Sequence, residues 1–518
     1  MKYLSLTITC LFLLQACSES EVVNSVVEHV ESSETEIHTI RWYDGTVDEA
    51  FDSARKADKP LFLYWGAVWC PPCQELKHTV FKSRRFIRQS ESFVPVYLDG
   101  DNSTAQALGE KFGVRGYPTM IIFNSQGTEI TRIPGGIDVS IYNDILALSQ
   151  ETISPTSELV LRVLNSPEMV SEKNLKQLAY YSWGQDHHAL PENYSPEIFL
   201  TMSKMATDNV SSARLYMQYL YEVADANDKG QSEEPKTIEP VAGAYEKVVS
   251  ILNSDTLALA CWDSLAYSST ELLPYIASEQ QQAGLVTIWQ NRMLELSSQD
   301  SLSTSEQLAG LLPTLEFYFS DDDSVSLDTE TKNLVLKATQ SADAATENTF
   351  ARQSVVSQMN YILQSAHLDS EAEQLLLSEL NRSKSPYYFM SSLASLAEKQ
   401  DKIEESIAWY KKAYNSSVGS ATRFQWGANY IAALIRLQPE REEHISSAAT
   451  LLLNEFENSS DVFAGRNFRV LKRLNENLGK WQTEKQITSL VIFTDTIHQR
   501  CQQQVSDSTA AENCASLI

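Results

Sequence analysis

The sequence predicts an α/β domain, a mixed central sheet flanked by helices, followed by a large all-α, repeat-like region. Three observations carry this reading. The chain has 518 residues, too many for one compact domain. Up to about residue 150, short apolar runs of strand length alternate with segments whose apolar residues recur at helical spacing. Beyond that point the strand-like runs stop, and helical spacing recurs alone between polar breaks such as Asp225–Pro240 and Ser320–Asp328.

The first segment, residues 1–16, reads as a signal peptide. Lys2 precedes an apolar run from Leu4 to Leu14 that is too short to span a bilayer. Leu14-Gln15-Ala16-Cys17 resembles a bacterial lipobox. The resemblance implies cleavage before Cys17, loss of Cys10 with the signal, and lipid attachment at Cys17, a stable anchor when more than one acyl chain is added. Ser18 in place of Asp implies sorting to the outer membrane of a Gram-negative bacterium, with the mature chain in the periplasm on the inner leaflet. The rest of 17–38, Ser- and Glu-rich with little apolar periodicity, predicts a flexible acidic tether spanning roughly 25 Å as a coil.

Residues 39–150 predict a complete α/β domain. Ile40-Arg41-Trp42-Tyr43 reads as a first strand and Asp48–Ala57 as a helix, with Val47, Ala50, Phe51 and Ala54 on one face. The apolar run Leu61–Trp65 reads as a buried strand, Phe93–Leu98 as the next and Thr104–Phe112 as a helix. Met120–Phe123, the turn Asn124-Ser125-Gln126-Gly127 and Glu129–Ile133 form a hairpin, and Ile141–Leu148 closes the domain as a helix. Between the second strand and its helix lies Trp69-Cys70-Pro71-Pro72-Cys73. This spacing predicts a redox-active dithiol at a helix N-terminus. There the helix dipole and unpaired N–H groups would lower the Cys70 thiol pKa, and Cys73, one turn on, would resolve the mixed disulfide. C-x-x-C is also half a zinc site or a structural disulfide. No second C-x-x-C or H-x3-5-H completes a zinc site, so no metal is expected.

About 45 residues beyond the dithiol, Val114-Arg115-Gly116-Tyr117-Pro118-Thr119 precedes the Met120–Phe123 strand. W-C-x-x-C followed by this segment resembles the thioredoxin superfamily. The resemblance implies a cis Pro118 packed against the dithiol, a Tyr117 backbone that pairs with a substrate strand, and a Trp69 that shields the cysteines. The stretch from Lys59 through Phe81 to Asp99 looks most like the periplasmic domain of the membrane thiol–disulfide interchange reductase. The resemblance covers about a fifth of the chain. One departure matters: Tyr64 stands six residues before Cys70, where classical thioredoxins carry a buried Asp that takes the resolving thiol's proton. Tyrosine is a poor base at neutral pH, so water or another carboxylate is expected to serve. Pro71 and Pro72 remove two backbone donors and stiffen the loop. His78 reads as a surface residue.

Residues 151–518 predict an α-helical region, tetratricopeptide-like around 387–455. In Met390–Ala413, Leu393-Ala394 and then Ser406, Tyr410 and Ala413 resemble the packing positions of such a repeat, and a degenerate second copy begins near Phe424. An irregular solenoid, which would offer a concave protein-binding surface, and a plain helical bundle both fit this pattern. Cys261 reads as a buried thiol; Cys501 and Cys514 lie in the polar C-terminal tail, where outside the cytoplasm they could form a structural disulfide that pins the tail or stay unpaired, and spacing alone does not decide between these. Asp186-His187-His188 is a weak metal candidate, better read as a loop. Neither G-x-S-x-G nor a phosphate-binding glycine loop occurs, and no cofactor is expected. A formal net charge of −27 argues against nucleic-acid binding.

The expected function is a periplasmic thiol–disulfide oxidoreductase that reduces protein disulfides through its C-P-P-C motif. Its partners would be protein thiols and disulfides, a membrane electron donor, and a protein bound by the helical region. The alternative is a lipid-anchored helical-repeat adaptor with a redox-responsive thioredoxin-like head.

Overall fold

Strand β1 (Leu61–Gly66) organises the domain, because all six of its residues are buried. A strand covered on both faces needs a neighbour on each edge and helices above and below. β1 pairs in parallel with β2 (Val94–Asp99) and antiparallel with β3 (Thr119–Phe123), and β3 pairs antiparallel with β4 (Glu129–Ile133). The sheet order is β2-β1-β3-β4. Helices α1 (Val47–Ala57), α2 (Pro71–His78), α3 (Arg84–Ser90), α4 (Ala105–Lys111) and α5 (Val139–Glu151) complete the domain. The N-terminus of α1 is fixed by a capping box between Thr46 and Glu49. This computed structural model describes residues 39–517 apart from 103, 134–138, 152–153, 185, 187, 230–237, 321–324, 456–459, 487–490 and 504–507. The expected signal peptide, lipidated Cys17 and acidic tether therefore lie outside the described residues.

Two local expectations are corrected. Ile40–Tyr43 is not a strand. Its Tyr43 N–H donates to the Pro95 carbonyl at 2.7 Å, and Pro95 has no N–H to return a ladder bond. Trp42 is instead anchored by its ring, which packs on Phe62, Tyr64, Phe81 and Tyr97. Helix α3 was not anticipated. Its basic sequence Arg84-Arg85-Phe86-Ile87-Arg88 shows only two adjacent apolar residues, both buried, and Ser83 caps it.

From Thr156 onward the regular structure of the described residues is all helical, with short 3₁₀ turns and loops between, and the domain and this helical body form one compact unit. The body covers the open edge of the sheet. Ser182 N–H donates to the Arg132 carbonyl (3.1 Å), and the Thr156 hydroxyl and Gln177 amide donate to the Ile130 carbonyl (2.9 and 3.0 Å). Partners of this kind leave β4 no free row of acceptors for another chain. The Arg132 side chain, 5% exposed, lies between Glu129 (2.6 Å) and Asp186 (3.5 Å). Asp186 also accepts from the Tyr181 hydroxyl and the His188 N–H, so its carboxylate is part of this buried network. His187 lies outside the described residues, and among those described no three metal-ligating side chains converge.

The segment expected to be repeat-like consists of four consecutive helices, Pro386–Lys399, Ile403–Ser416, Ser420–Leu437 and Glu442–Asn454, each packed on the next. Leu393, Ala394, Ser406 and Ala413 are all buried. Gly427 sits at a close helix crossing, where a Cβ would lie 2.5 Å from the Leu452 side chain. The Phe424 segment is the first half of the Ser420–Leu437 helix.

Candidate redox site

Cys70 is the N-cap of α2, and Pro71 and Pro72 are its first two residues. Proline suits these positions because its missing N–H has no intrahelical acceptor there and its φ is already helical. The consequence for the sulfur is specific. Of the amides expected to face Cys70, two do not exist, and Cys73 N–H alone donates to Cys70 Sγ, at 3.2 Å. Cys70 and Cys73 are joined in a disulfide, with Cα atoms 5.2 Å apart. Both are buried, at 2% and 0% exposure. Ala67, Trp69 and Tyr117 pack around them.

The Tyr117–Pro118 peptide is cis. Pro118 is buried, and Tyr117 is half-buried with its ring edge-on to Trp69, centroids 6.3 Å apart. The Tyr117 hydroxyl accepts from the Gln106 amide at 3.2 Å. It passes so close to Gly100 that a Cβ there would meet it at 2.2 Å. Behind α2 runs a polar chain. Lys77 Nζ donates to the Tyr97 hydroxyl (3.3 Å), which donates to Asp99 (3.0 Å), and Tyr97 stacks on Tyr64 at 5.4 Å. The Tyr64 hydroxyl donates to the Cys73 carbonyl at 3.5 Å. Burial, and then Asp99, push the Tyr64 phenol above its usual value. Burial pushes the Lys77 ammonium down, and Asp99 pulls it back up. Tyr64 is therefore no base here. Asp99 is the carboxylate bonded to Tyr97 in this chain and acts on Tyr64 through its charge, and the sequence pattern pointed to no role for it.

Residues 47–150 match the family model described as a thioredoxin-like domain. A thioredoxin of Echinococcus granulosus is 33% identical over 93 residues, which make up 18% of this chain and 81% of that protein. The chain belongs to the thioredoxin family. The thiol:disulfide interchange protein DsbD of Yersinia pestis is 34% identical over 91 residues, 17% of this chain. The chain spans only 15% of the length of that relative. Nucleoredoxin of Bos taurus is 26% identical over 107 residues, 16% of this chain and 25% of its own. The Cys70–Cys73 pair thus lies in a domain of the thioredoxin-like thiol–disulfide oxidoreductase family.

The helical body packs directly on this face of the thioredoxin domain. Trp69 Nε1–H donates to the Thr422 hydroxyl (2.7 Å), and its ring stacks on Tyr388 and meets Trp426 edge-on. The Arg466 guanidinium lies 4.7 Å from the Trp69 ring centroid and 5.4 Å from that of Tyr117. Arg469 donates to the carbonyls of Val114 and Arg115, both at 3.2 Å. On the opposite flank of α2, Glu75 accepts from the hydroxyls of Ser305 (3.1 Å) and Ser354 (2.5 Å), and His78 stacks on Phe350. His78, partly exposed, thus lies at the edge of the contact with the body.

None of these body residues was identifiable from sequence, since no local pattern marks a residue for a contact more than two hundred positions away. The remaining cysteines sit elsewhere. Cys501 and Cys514 are disulfide-bonded, Cα atoms 5.5 Å apart, in the C-terminal core. Cys261 is unpaired and buried, and burial pushes its thiol up to about 12.

Proposed function

We infer that this chain is a thiol–disulfide oxidoreductase that reduces protein disulfides outside the cytoplasm. The observation that carries the reading is Cys70 at the N-cap of α2, bonded to Cys73 and flanked by Trp69 and Tyr117, within a domain of this family. In the reduced chain the Cys70 thiolate attacks one sulfur of a substrate disulfide. A mixed disulfide forms and the substrate's other sulfur leaves as a thiolate. Cys73, deprotonated, then attacks Cys70 Sγ; the Cys70–Cys73 disulfide forms and the second substrate thiolate leaves. Two electrons have moved to the substrate, and a membrane electron donor returns two to the pair. The loop of Tyr117 and Pro118 shapes the substrate groove. Water or a carboxylate takes the proton of Cys73; Asp99, bonded to Tyr97 behind α2, is the described carboxylate nearest this role.

The extracytoplasmic setting is supported by the lipobox-like Leu14–Cys17 segment and by the Cys501–Cys514 disulfide, since such bonds persist in oxidising compartments. Anchoring through Cys17 to the outer membrane belongs to the same reading, as does a solenoid-like body, tetratricopeptide-like around 387–455, that recruits a protein partner. A second reading draws on the 2% exposure of Cys70: an adaptor whose helical body does the work and whose dithiol is a redox-responsive clamp. A Cys73→Ser variant separates the two. Expressed in intact cells, it is expected to accumulate disulfide-linked complexes through Cys70 that dissolve on reduction. If no such complexes form while the body still holds its partners, the adaptor reading stands instead.

A further inference from the structure

The residues that hold the body on the dithiol face form a clasp built from helix ends. Asp101, in the loop after β2, accepts from the Thr422 N–H (2.7 Å) and the Thr422 hydroxyl (2.6 Å) in the first turn of the Ser420–Leu437 helix. Glu110 and Gln106, both on α4, accept from the Gly465 and Arg466 N–H groups (2.7 and 2.9 Å) at the start of the Gly465–Lys485 helix. The N-termini of two body helices are thus capped by side chains of the thioredoxin domain, which satisfies N–H groups that have no intrahelical acceptor. The chain permits this approach with glycine. Gly419 has φ +93° and a Cβ there would lie 2.3 Å from the Asp101 carboxyl carbon; Gly465 has φ +52° and a Cβ there would lie 2.5 Å from the Gln106 carbonyl oxygen.

Between these caps lie the groups a substrate must reach. The Trp69 indole is bonded to Thr422 and walled by Tyr388 and Trp426. Two carbonyls of the loop leading to Pro118 are taken by Arg469, and Arg466 lies across Trp69 and Tyr117. On the other flank Gln353 donates to the Trp69 carbonyl at 3.4 Å. A protein disulfide cannot meet Cys70 with these groups in place, because the main-chain acceptors and aromatic surface beside the cysteines are already occupied. Every bond named is one that water can replace when the helix ends withdraw.

We propose that this is an autoinhibited form: the Ser420–Leu437 and Gly465–Lys485 helices close over the Cys70–Cys73 pair, and exchange with a protein substrate requires them to lift from the domain. The proposal rests on the oxidoreductase reading above. Its test is the rate at which iodoacetamide alkylates Cys70 in the reduced full-length chain, followed by mass spectrometry. Wild type is compared with the double variant Thr422→Ala, Gly465→Ala. Thr422→Ala removes the bonds to Trp69 and from Thr422 Oγ1 to Asp101, and Gly465→Ala drives a methyl group into the Gln106 backbone. With circular dichroism unchanged, the variant is expected to react at least ten times faster. A rate within twofold of wild type overturns the proposal.

Should the double variant not fold, the wild-type rate is measured across urea concentrations below the unfolding transition. A rise before the transition is expected from opening of the clasp, and a rate flat up to the transition overturns it. Re-formation of the Cys70–Cys73 disulfide on reoxidation is followed in parallel samples that receive no iodoacetamide. Failure to re-form overturns the oxidoreductase reading and the gate with it, whereas re-formation with equal alkylation rates overturns the gate alone.

Discussion

Replacing Cys70 with serine is expected to bring dithiothreitol-driven reduction of insulin down to the uncatalysed background, in the wild-type chain and in the Thr422→Ala, Gly465→Ala variant alike. A serine hydroxyl stays protonated at neutral pH and cannot form the mixed disulfide. No other described thiol can substitute. Cys73 is fully buried, Cys501 and Cys514 are paired with each other, and Cys261 is buried with its thiol pushed up to about 12, so it remains protonated at neutral pH. The substitution is conservative in size, and the Oγ can still accept from Cys73 N–H, so the fold should be retained. Residual turnover above a tenth of wild type would show that another sulfur carries the reaction.

The largest expected effect on stability lies away from the cysteines. Glu379→Ala is expected to cost about 3 kcal/mol, because the buried Arg352 guanidinium loses its buried carboxylate and keeps only the half-exposed Asp343 as a charged partner. Arg352 and Glu379 are 5% and 1% exposed, and Arg352 donates through Nε to Glu379 at 3.2 Å and through a second nitrogen to the other oxygen. Arg352 also donates to the Thr346 carbonyl (2.8 Å) and to Asp343 (2.6 Å). The Ala351–Ser365 helix that bears Arg352 also bears Gln353 and Ser354, which bind Trp69 and Glu75. Loss of the ion pair therefore loosens the flank of the dithiol helix as well as the body. Thermal unfolding by calorimetry measures the loss. Glu379→Gln keeps the side-chain volume but removes the charge, so it is expected to cost nearly as much, and a loss much smaller than that of Glu379→Ala would assign the effect to packing instead of charge.

The thioredoxin-like domain was legible because its signals are local. Leu61–Trp65 is apolar throughout and became the doubly covered central strand, and the hairpin turn Asn124–Gly127 appears as read. Local signals also misled. Ile40–Tyr43 has strand-like residues but meets a proline across the sheet, and α3 is too short and too basic to show a periodic apolar face. The site was legible only in part. The cysteines and the loop of Tyr117 and Pro118 stand out in the sequence, yet Pro71 and Pro72 leave Cys70 a single amide donor, a count that depended on where the helix begins. The clasp was not legible at all. Asp101 and Thr422 are 321 positions apart, and Gly419 and Gly465 look like ordinary loop glycines until their positive φ angles and close approaches are seen.

The central claim is that Cys70 and Cys73 form a reversible redox pair poised to reduce. The most direct measurement is their equilibrium reduction potential, read by thiol trapping of the chain from Ser18 across glutathione and dithiothreitol series. Dithiols of this family span about −270 mV for reductants to about −120 mV for oxidants. The account predicts an intramolecular disulfide with a value toward the reducing end. A value near the oxidising end would make the protein a disulfide donor, and a pair that never closes would contradict the dithiol mechanism itself.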